Sequence, residues 1–382
     1  MKQFLIYYLK FITYNFLPLF ASAQYTVHLQ IKTLPGKPVT DMVYLTGNFN
    51  GWNPKDENGH LQKNDNGYFT LKIDNVDAGD YEFKFTRGSW ENVETDEQGK
   101  DITNRTVHIQ SDTTLSFSVA GWKDNFVSSS GQRASTATAQ VKIIDTAFAI
   151  PQLNRSRRIW LYLPKDYAVS GKHYPVMYMH DGQNLFDDAT SFAGEWGVDE
   201  AMDSSANACI VVGIDNGGGK RMNEYNPNDA KQFGKGEGKE YLAFIVKTLK
   251  PWIDKTYRTL NDKKHTYIAG SSMGGLISFY AGLYYPDVFG GLGVFSPSFW
   301  IVPQVRDEIK QLAKKNQHGS QQYYFYMGEK EGGQMVPDMN AVFSDMQQLV
   351  NPKTIKVINP NGKHNEAAWR AEFPVFYKWL TK

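Results

Sequence analysis

Cysteine is nearly absent: Cys209 stands alone in 382 residues. No intramolecular disulfide can form, so neither a disulfide framework nor a cysteine-built zinc cage supports the fold. Charge of one sign is lacking too, with 41 Lys and Arg against 40 Asp and Glu, a net +1. That balance excludes a polybasic nucleic-acid binder and a polybasic membrane anchor. Long apolar runs are missing as well. The nearest approach is the start, "MKQFLIYYLKFITYNFLPLFASAQ", which Lys10, Asn15 and Pro18 interrupt. A stable span needs about 20 apolar residues. The basic start, the apolar segment and Ala21-Ser22-Ala23 read instead as a signal peptide, residues 1–23, cut after Ala23. The expected mature protein is exported, periplasmic or secreted, with no stable membrane anchor.

What is abundant is aromatic: Phe, Trp and Tyr make up 14% of the chain. The length suits two domains. Residues 24–122 carry short alternating runs, "YTVHLQIKT", "MVYLTGNF", "GYFTLKID", "YEFKFTR", "RTVHIQ" and "TLSFSV", each bounded by turn residues. Short strands at that spacing predict an all-β, immunoglobulin-like sandwich. Residues 123–140 then read as a linker, for "VSSSGQRASTATAQ" offers few large apolar groups. From Val141 to Lys382, runs such as "YPVMYMHD", "CIVVGID", "HTYIAG" and "YYFYMG" alternate with helix-like stretches. That alternation predicts an α/β domain, a mainly parallel sheet with helices on both faces. Cys209 lies inside one of these strands and is expected to be core.

The chemistry concentrates around Gly270-Ser271-Ser272-Met273-Gly274, which fits G-x-S-x-G between a strand and a helix. Such an elbow lifts a serine hydroxyl above a sheet at a helix N-terminus, and glycines on either side make room for it. Ser272 is the candidate nucleophile, and the Met273 amide a candidate oxyanion donor. A base must follow. Only His318 and His364 lie beyond Ser272; His318 sits in a polar stretch, His364 in a loop after a predicted strand. His364 is therefore preferred. The acid should leave the strand between them, where "YYFYMGEKEGG" offers Glu329 and Glu331; Glu331 ranks first and Asp338 second. A second oxyanion amide is expected at Gln183, in "YPVMYMHDGQNLF". His180 and Asp181 in that run lack a second histidine at ligand spacing, so no metal or other cofactor is expected.

Together these segments resemble the esterase family of α/β hydrolases. It includes feruloyl and acetyl-xylan esterases, S-formylglutathione hydrolases, mycolyltransferases and siderophore esterases. The resemblance covers residues 141–382 and rests on "RRIWLYLPKDY", "YMHDGQNLF", "VVGIDNGG", "RMNEYNP", "GSSMGG", "FSPSFW", "YMGEKEGG" and "GKHNEAAWR". It implies a nucleophile at Ser272, an acid at Glu331, a histidine at His364 and oxyanion amides at Gln183 and Met273. Relatives often carry Asp where this chain has Glu331. The resemblance also implies that Asn216, Arg221, Glu224 and Trp300 line the substrate cleft; Arg221 and Glu224 could equally form a structural ion pair.

In the first domain, "VYLTGNFNGWNP" and "AGDYEFKFTRGSWENVE" resemble starch- and glycogen-binding modules. By position this implies that Trp52 and Trp90 stack on glucose rings while Lys84 bonds hydroxyls. An indole offers a flat apolar face to a sugar. The alternative is that Trp52 packs the sandwich. The expected protein is thus an exported serine esterase acting on a carbohydrate-linked ester, feruloyl or acetyl, with a possible glucan partner. The alternatives are a siderophore esterase of the enterochelin type, and a glucan-binding protein whose hydrolase half is only a scaffold.

Overall fold

The computed structural model describes residues 24–35, 42–50, 52–126, 133–230, 233–314, 321–350 and 353–382. The expected signal peptide, its cleavage site and His318 lie outside them. Among the described residues no helix is long and apolar enough to cross a membrane.

The N-terminal half is built of strands and single 3-10 turns. The strands are β1 (Gln24–Thr33), β2 (Val43–Gly47), β3 (His60–Lys63), β4 (Phe69–Asp77) and β5 (Gly79–Thr86). They continue as β6 (Glu94–Thr95), β7 (Arg105–Ile109), β8 (Thr113–Ser118) and β9 (Gly121–Trp122). All six expected runs are strands. The hydrogen-bonded order is β7-β5-β2-β3-β4-β1-β8, with β6 pairing β9. Alternation turns Val27, Leu29 and Ile31 of β1 inward. Leu29 and Ile31 then meet Leu45, Phe83 and Phe85 in one core that Trp122 completes.

The second half holds β10 (Val141–Ile150), β11 (Arg155–Tyr162), β12 (Val176–His180), β13 (Ile210–Ile214) and β14 (Thr266–Ser271). Then come β15 (Gly291–Phe295), β16 (Gln322–Gly328) and β17 (Lys353–Asn359). Their order is β10-β11-β13-β12-β14-β15-β16-β17; the pairs β10–β11 and β11–β13 are antiparallel and the rest parallel. The central strands β12 to β15 are buried along their length, as strands covered on both faces must be. Among the described residues, α-helices do most of the covering: α1 (Val198–Asp203), α2 (Arg221–Glu224), α3 (Gly238–Phe244), α4 (Lys250–Thr256), α5 (Met273–Tyr284), α6 (Val305–Lys314), α7 (Met335–Asp345) and α8 (Glu366–Leu380). Neighbouring residues on one strand serve opposite layers. Tyr178 joins Leu242, Leu276 and Met339 of α3, α5 and α7, while Met177 and Met179 join Val198, Phe373 and Phe376 of α1 and α8. Cys209 is buried, and burial pushes its thiol pKa up to about 12.

Two differences from the sequence pattern are physical. β10 is an edge strand with only Ile150 buried, so it carries no run of apolar residues to mark it. The expected linker is not loose from Arg133 on. Arg133 Nη2 donates to the Ser191 carbonyl at 2.5 Å, Ser135 Oγ to Asp187 Oδ2 at 2.8 Å, and the Thr138 amide to Asp199 Oδ2 at 2.7 Å. Its small polar side chains suit carboxylate partners rather than a core. The halves also touch directly. Lys123 Nζ donates to the Phe192 carbonyl at 2.7 Å, and the Trp90 and Phe192 rings meet edge to face at 6.0 Å.

Candidate active site

β14 runs straight into α5 with one residue between them. That residue, Ser272, has φ +59° and ψ −120°. A side chain at positive φ outside glycine costs about 1–3 kcal/mol and persists only where its surroundings enforce it. Here the enforcement is close packing. A Cβ at Gly270 would lie 2.9 Å from His180 Cδ2, and one at Gly275 would lie 2.4 Å from the Phe295 carbonyl oxygen. The Ser272 amide donates to the Phe295 carbonyl at 3.0 Å, and its hydroxyl stands 3.4 Å from Ser298 Oγ. Met273 begins α5, where the first amides have no acceptor within the helix and attract negative charge.

β16 ends in a 3-10 turn, Glu329–Glu331, whose last side chain is buried. Glu331 Oε1 accepts from the Gly328 amide at 2.6 Å and from Ser296 Oγ at 2.7 Å. Its Oε2 faces His364 Nδ1 at 2.9 Å. Ser296 is fixed in turn by Trp369 Nε1 at 2.8 Å, and the Trp369 ring meets His364 edge-on at 5.1 Å. With Nδ1 anchored, Nε2 is the nitrogen left to handle a proton. Asp338, the second-ranked acid, sits in the first turn of α7, where burial raises its pKa. The geometry therefore brings Glu331, not Asp338, to the histidine.

Gln183 lies in the 3-10 turn Gly182–Asn184 that follows β12. It is held at backbone and side chain: Thr190 Oγ1 donates to its carbonyl at 2.8 Å, and its side-chain oxygen accepts from the Asn216 amide at 3.2 Å. The turn begins at Asp181, at φ +57°. Arg221 grips the Asp181 carboxylate from Nε at 2.7 Å and from Nη2 at 2.9 Å, and Asn216 Nδ2 adds 2.8 Å. Burial opposes that charge, but Arg221 and Asn216 outweigh it and hold the carboxyl below its ordinary range. Asn216 and Arg221, expected to line the cleft, are thus braces of the Gln183 turn. Glu224 is corrected more sharply. It is fully buried and receives Arg155 Nη1 at 2.8 Å and Arg157 Nη2 at 2.5 Å, so neither substrate contact nor an ion pair with Arg221 describes it. Trp300 is half-buried two residues beyond Ser298, edge-on to Phe233 at 6.0 Å. His180 lies beneath the elbow, its Nδ1 2.9 Å from Tyr241 Oη, and burial drives its pKa down to about 3. It is a neutral packing group.

Sequence reasoning missed Ser296, Ser298, Trp369 and Glu366. All four sit inside the quoted landmarks "FSPSFW" and "GKHNEAAWR", but a brace has no motif of its own. Glu366 opens α8 next to the Asn365 cap. Burial raises its pKa, and the charges of His364, Asp181 and Arg221 reach it.

In the N-terminal half, the half-buried Trp52 and Trp90 rings lie 6.2 Å apart at 37°. Neither belongs to the core that Trp122 completes. Lys84 does not join them in offering a polar group. Its ammonium is engaged by the Ile102 carbonyl at 2.5 Å, and burial lowers its pKa.

Comparison with known proteins settles the lineage. The Esterase family profile, described as "Putative esterase", matches residues 150–380, more than half of the chain. The chain belongs to the esterase family. An endo-1,4-beta-xylanase/feruloyl esterase of Xylanibacter ruminicola is 30% identical over 156 residues, 38% of this chain and 20% of that one. An alpha-amylase of Niallia circulans is 41% identical over 95 residues, 24% of this chain and 7% of that one. A Bacillus subtilis protein, YbbA, is 30% identical over 152 residues, 38% of this chain and 58% of that one. The chain therefore spans less than two thirds of each of these relatives. Among solved structures, the enterobactin esterase of Shigella flexneri aligns over 89% of this chain and 87% of its own, with a TM-score of 0.51 at 15% identity. At that identity the likeness shows the fold.

Proposed function

We propose that this esterase-family chain is an exported serine hydrolase of carboxylic esters, its substrate linked to carbohydrate. The observation that carries the reading is the strained Ser272, held between β14 and α5 in a chain that also pairs His364 with Glu331. Ser272 Oγ attacks the ester carbonyl while His364 Nε2 takes its proton. Glu331 holds the imidazole in the right tautomer and stabilises its charged form. The Gln183 and Met273 amides receive the oxyanion. His364 returns the proton to the departing alcohol, and water, deprotonated by the same nitrogen, releases the acid and restores Ser272.

The carbohydrate link rests on the N-terminal half, read as an immunoglobulin-like, starch-binding-like module. Trp52 and Trp90 present ring faces, and Trp90 touches Phe192, whose amide bonds Asn184 Oδ1 at 3.0 Å beside Gln183. A polymer on that pair would lie next to the cleft. The siderophore alternative needs cations to meet an anionic chelate, and the nearest candidate, Arg221, is paired with Asp181.

The test compares the mature protein with Ser272→Ala on p-nitrophenyl acetate and methyl ferulate, with fluorophosphonate labelling alongside. Wild type should turn over at least one ester and label; the variant should lose about 10³-fold or more in kcat and all labelling. Labelling or turnover that survives in Ser272→Ala would move the nucleophile elsewhere.

A further inference from the structure

Three carboxylates take no part in the ester chemistry. Glu195, before α1, and Asp199 and Glu200, in its first turn, each bring an oxygen to within 4.8 Å of the others. Asp199 is 0% and Glu195 5% exposed. Each uses one oxygen. Asp199 Oδ2 accepts from the Thr138 amide at 2.7 Å, Glu195 Oε1 from Arg370 Nη1 at 3.3 Å, and Glu200 Oε1 stands 3.6 Å from Arg370 Nη2. The other three oxygens, Glu195 Oε2, Asp199 Oδ1 and Glu200 Oε2, are buried with no hydrogen-bond partner among the described residues. The Thr138 hydroxyl is buried and unpartnered in the same way. The Thr136 hydroxyl lies within hydrogen-bonding reach of Glu195, and the Thr138 hydroxyl and the Glu200 carboxyl within reach of Asp199.

A buried acceptor left unmatched carries its full desolvation penalty, so native structures rarely leave one, and three together call for a shared partner. Arg370 is the basic partner of Glu195 and Glu200, and its side chain is half-exposed. The donors are all oxygen, which suits a hard cation and not a thiolate- or imidazole-seeking metal. A cavity of about 380 Å³ lined by Thr136, Asp188, Glu195, Glu200 and Arg370 gives an ion and its waters a way in.

We infer that Glu195, Asp199 and Glu200, with the Thr138 hydroxyl, form a calcium-type cation site that fastens the segment between the two halves to α1. It is independent of the esterase chemistry, and its work is structural. The site joins the Thr136–Thr138 strap to the loop that carries Phe192.

The probes are Tb³⁺ and Ca²⁺ added to the full-length mature protein after chelation. Trp196, next to Glu195, is the built-in sensitiser for Tb³⁺ emission. Emission should saturate, fall as Ca²⁺ displaces the probe, and be lost in Asp199→Asn and in the milder Glu200→Gln. Ca²⁺ at a hundredfold excess over its Kd should raise Tm by about 5 °C in wild type and not in the variants. Equal emission in wild type and both variants would overturn the site. So would the absence of any Ca²⁺-dependent Tm change, with Asp199→Asn raising Tm in chelator. That result would mean the carboxyls share a proton.

Discussion

In the esterase-family half Glu331 uses both carboxylate oxygens, with a serine and an amide on one and His364 on the other. In the N-terminal half Trp52 and Trp90 stand half-exposed at the surface, and the lysine expected beside them bonds a backbone carbonyl instead. The contrast matches the two kinds of chemistry proposed for them. Proton transfer needs a carboxylate and an imidazole fixed to a fraction of an ångström, which takes burial and a full set of partners. Stacking on a sugar needs only an accessible ring face of roughly the right tilt. One half should therefore break when a partner is removed, and the other only when the ring itself is removed.

The largest effect expected from that contrast is at the acid. Glu331→Gln should lower kcat on a small ester by about 10²–10⁴-fold with KM little changed, because the wrong imidazole tautomer is then held. Asp338→Asn should stay within about twofold. Equal losses in the two variants would undo the assignment. Next in size is acid sensitivity, which should trace to the hydrolase half. His180 titrates near 6.5 unfolded and is depressed to about 3 when folded. Its contribution is whole above pH 6.5. As pH falls below that, the unfolded chain binds a proton the folded chain refuses, and stability drops by up to about 1.4 kcal/mol per pH unit. Urea midpoints from pH 7 to 4 should flatten in His180→Gln; an unchanged slope would assign the sensitivity elsewhere. The smallest effect belongs to the rings. Trp90→Ala should weaken retention on insoluble polysaccharide by about tenfold and leave p-nitrophenyl acetate turnover within about twofold. A matching fall in small-ester turnover would blur the contrast, showing that Trp90 also supports the Phe192 loop.

The same contrast explains what the sequence could show. The turn at Ser272 was legible because strand, glycines and helix had to be contiguous, and the histidine that meets Glu331 because so few histidines follow Ser272. Glu331 was legible from its place after a strand, even against Asp338. The partners of Asp181, Glu224 and Glu331 were not. Arg157 lies 67 positions from Glu224, and Ser296 lies 35 from Glu331, so sheet order rather than spacing brings them together. Arg221 and Glu224 share a helix turn, yet each is taken by a charge from another strand or loop. β10 hid because an edge strand buries too little to show a pattern.

The strap from Arg133 to Thr138 also limits how far the halves can part. Fully stretched, eighteen linker residues would let them separate by about 65 Å. With Arg133 fastened to Ser191 and Asp188, seven residue steps separate Phe126 from that anchor, and a chain of that length spans about 25 Å at most. The N-terminal half is on a short leash. Should its contact with Phe192 break, its Phe126 end stays within that distance of Arg133.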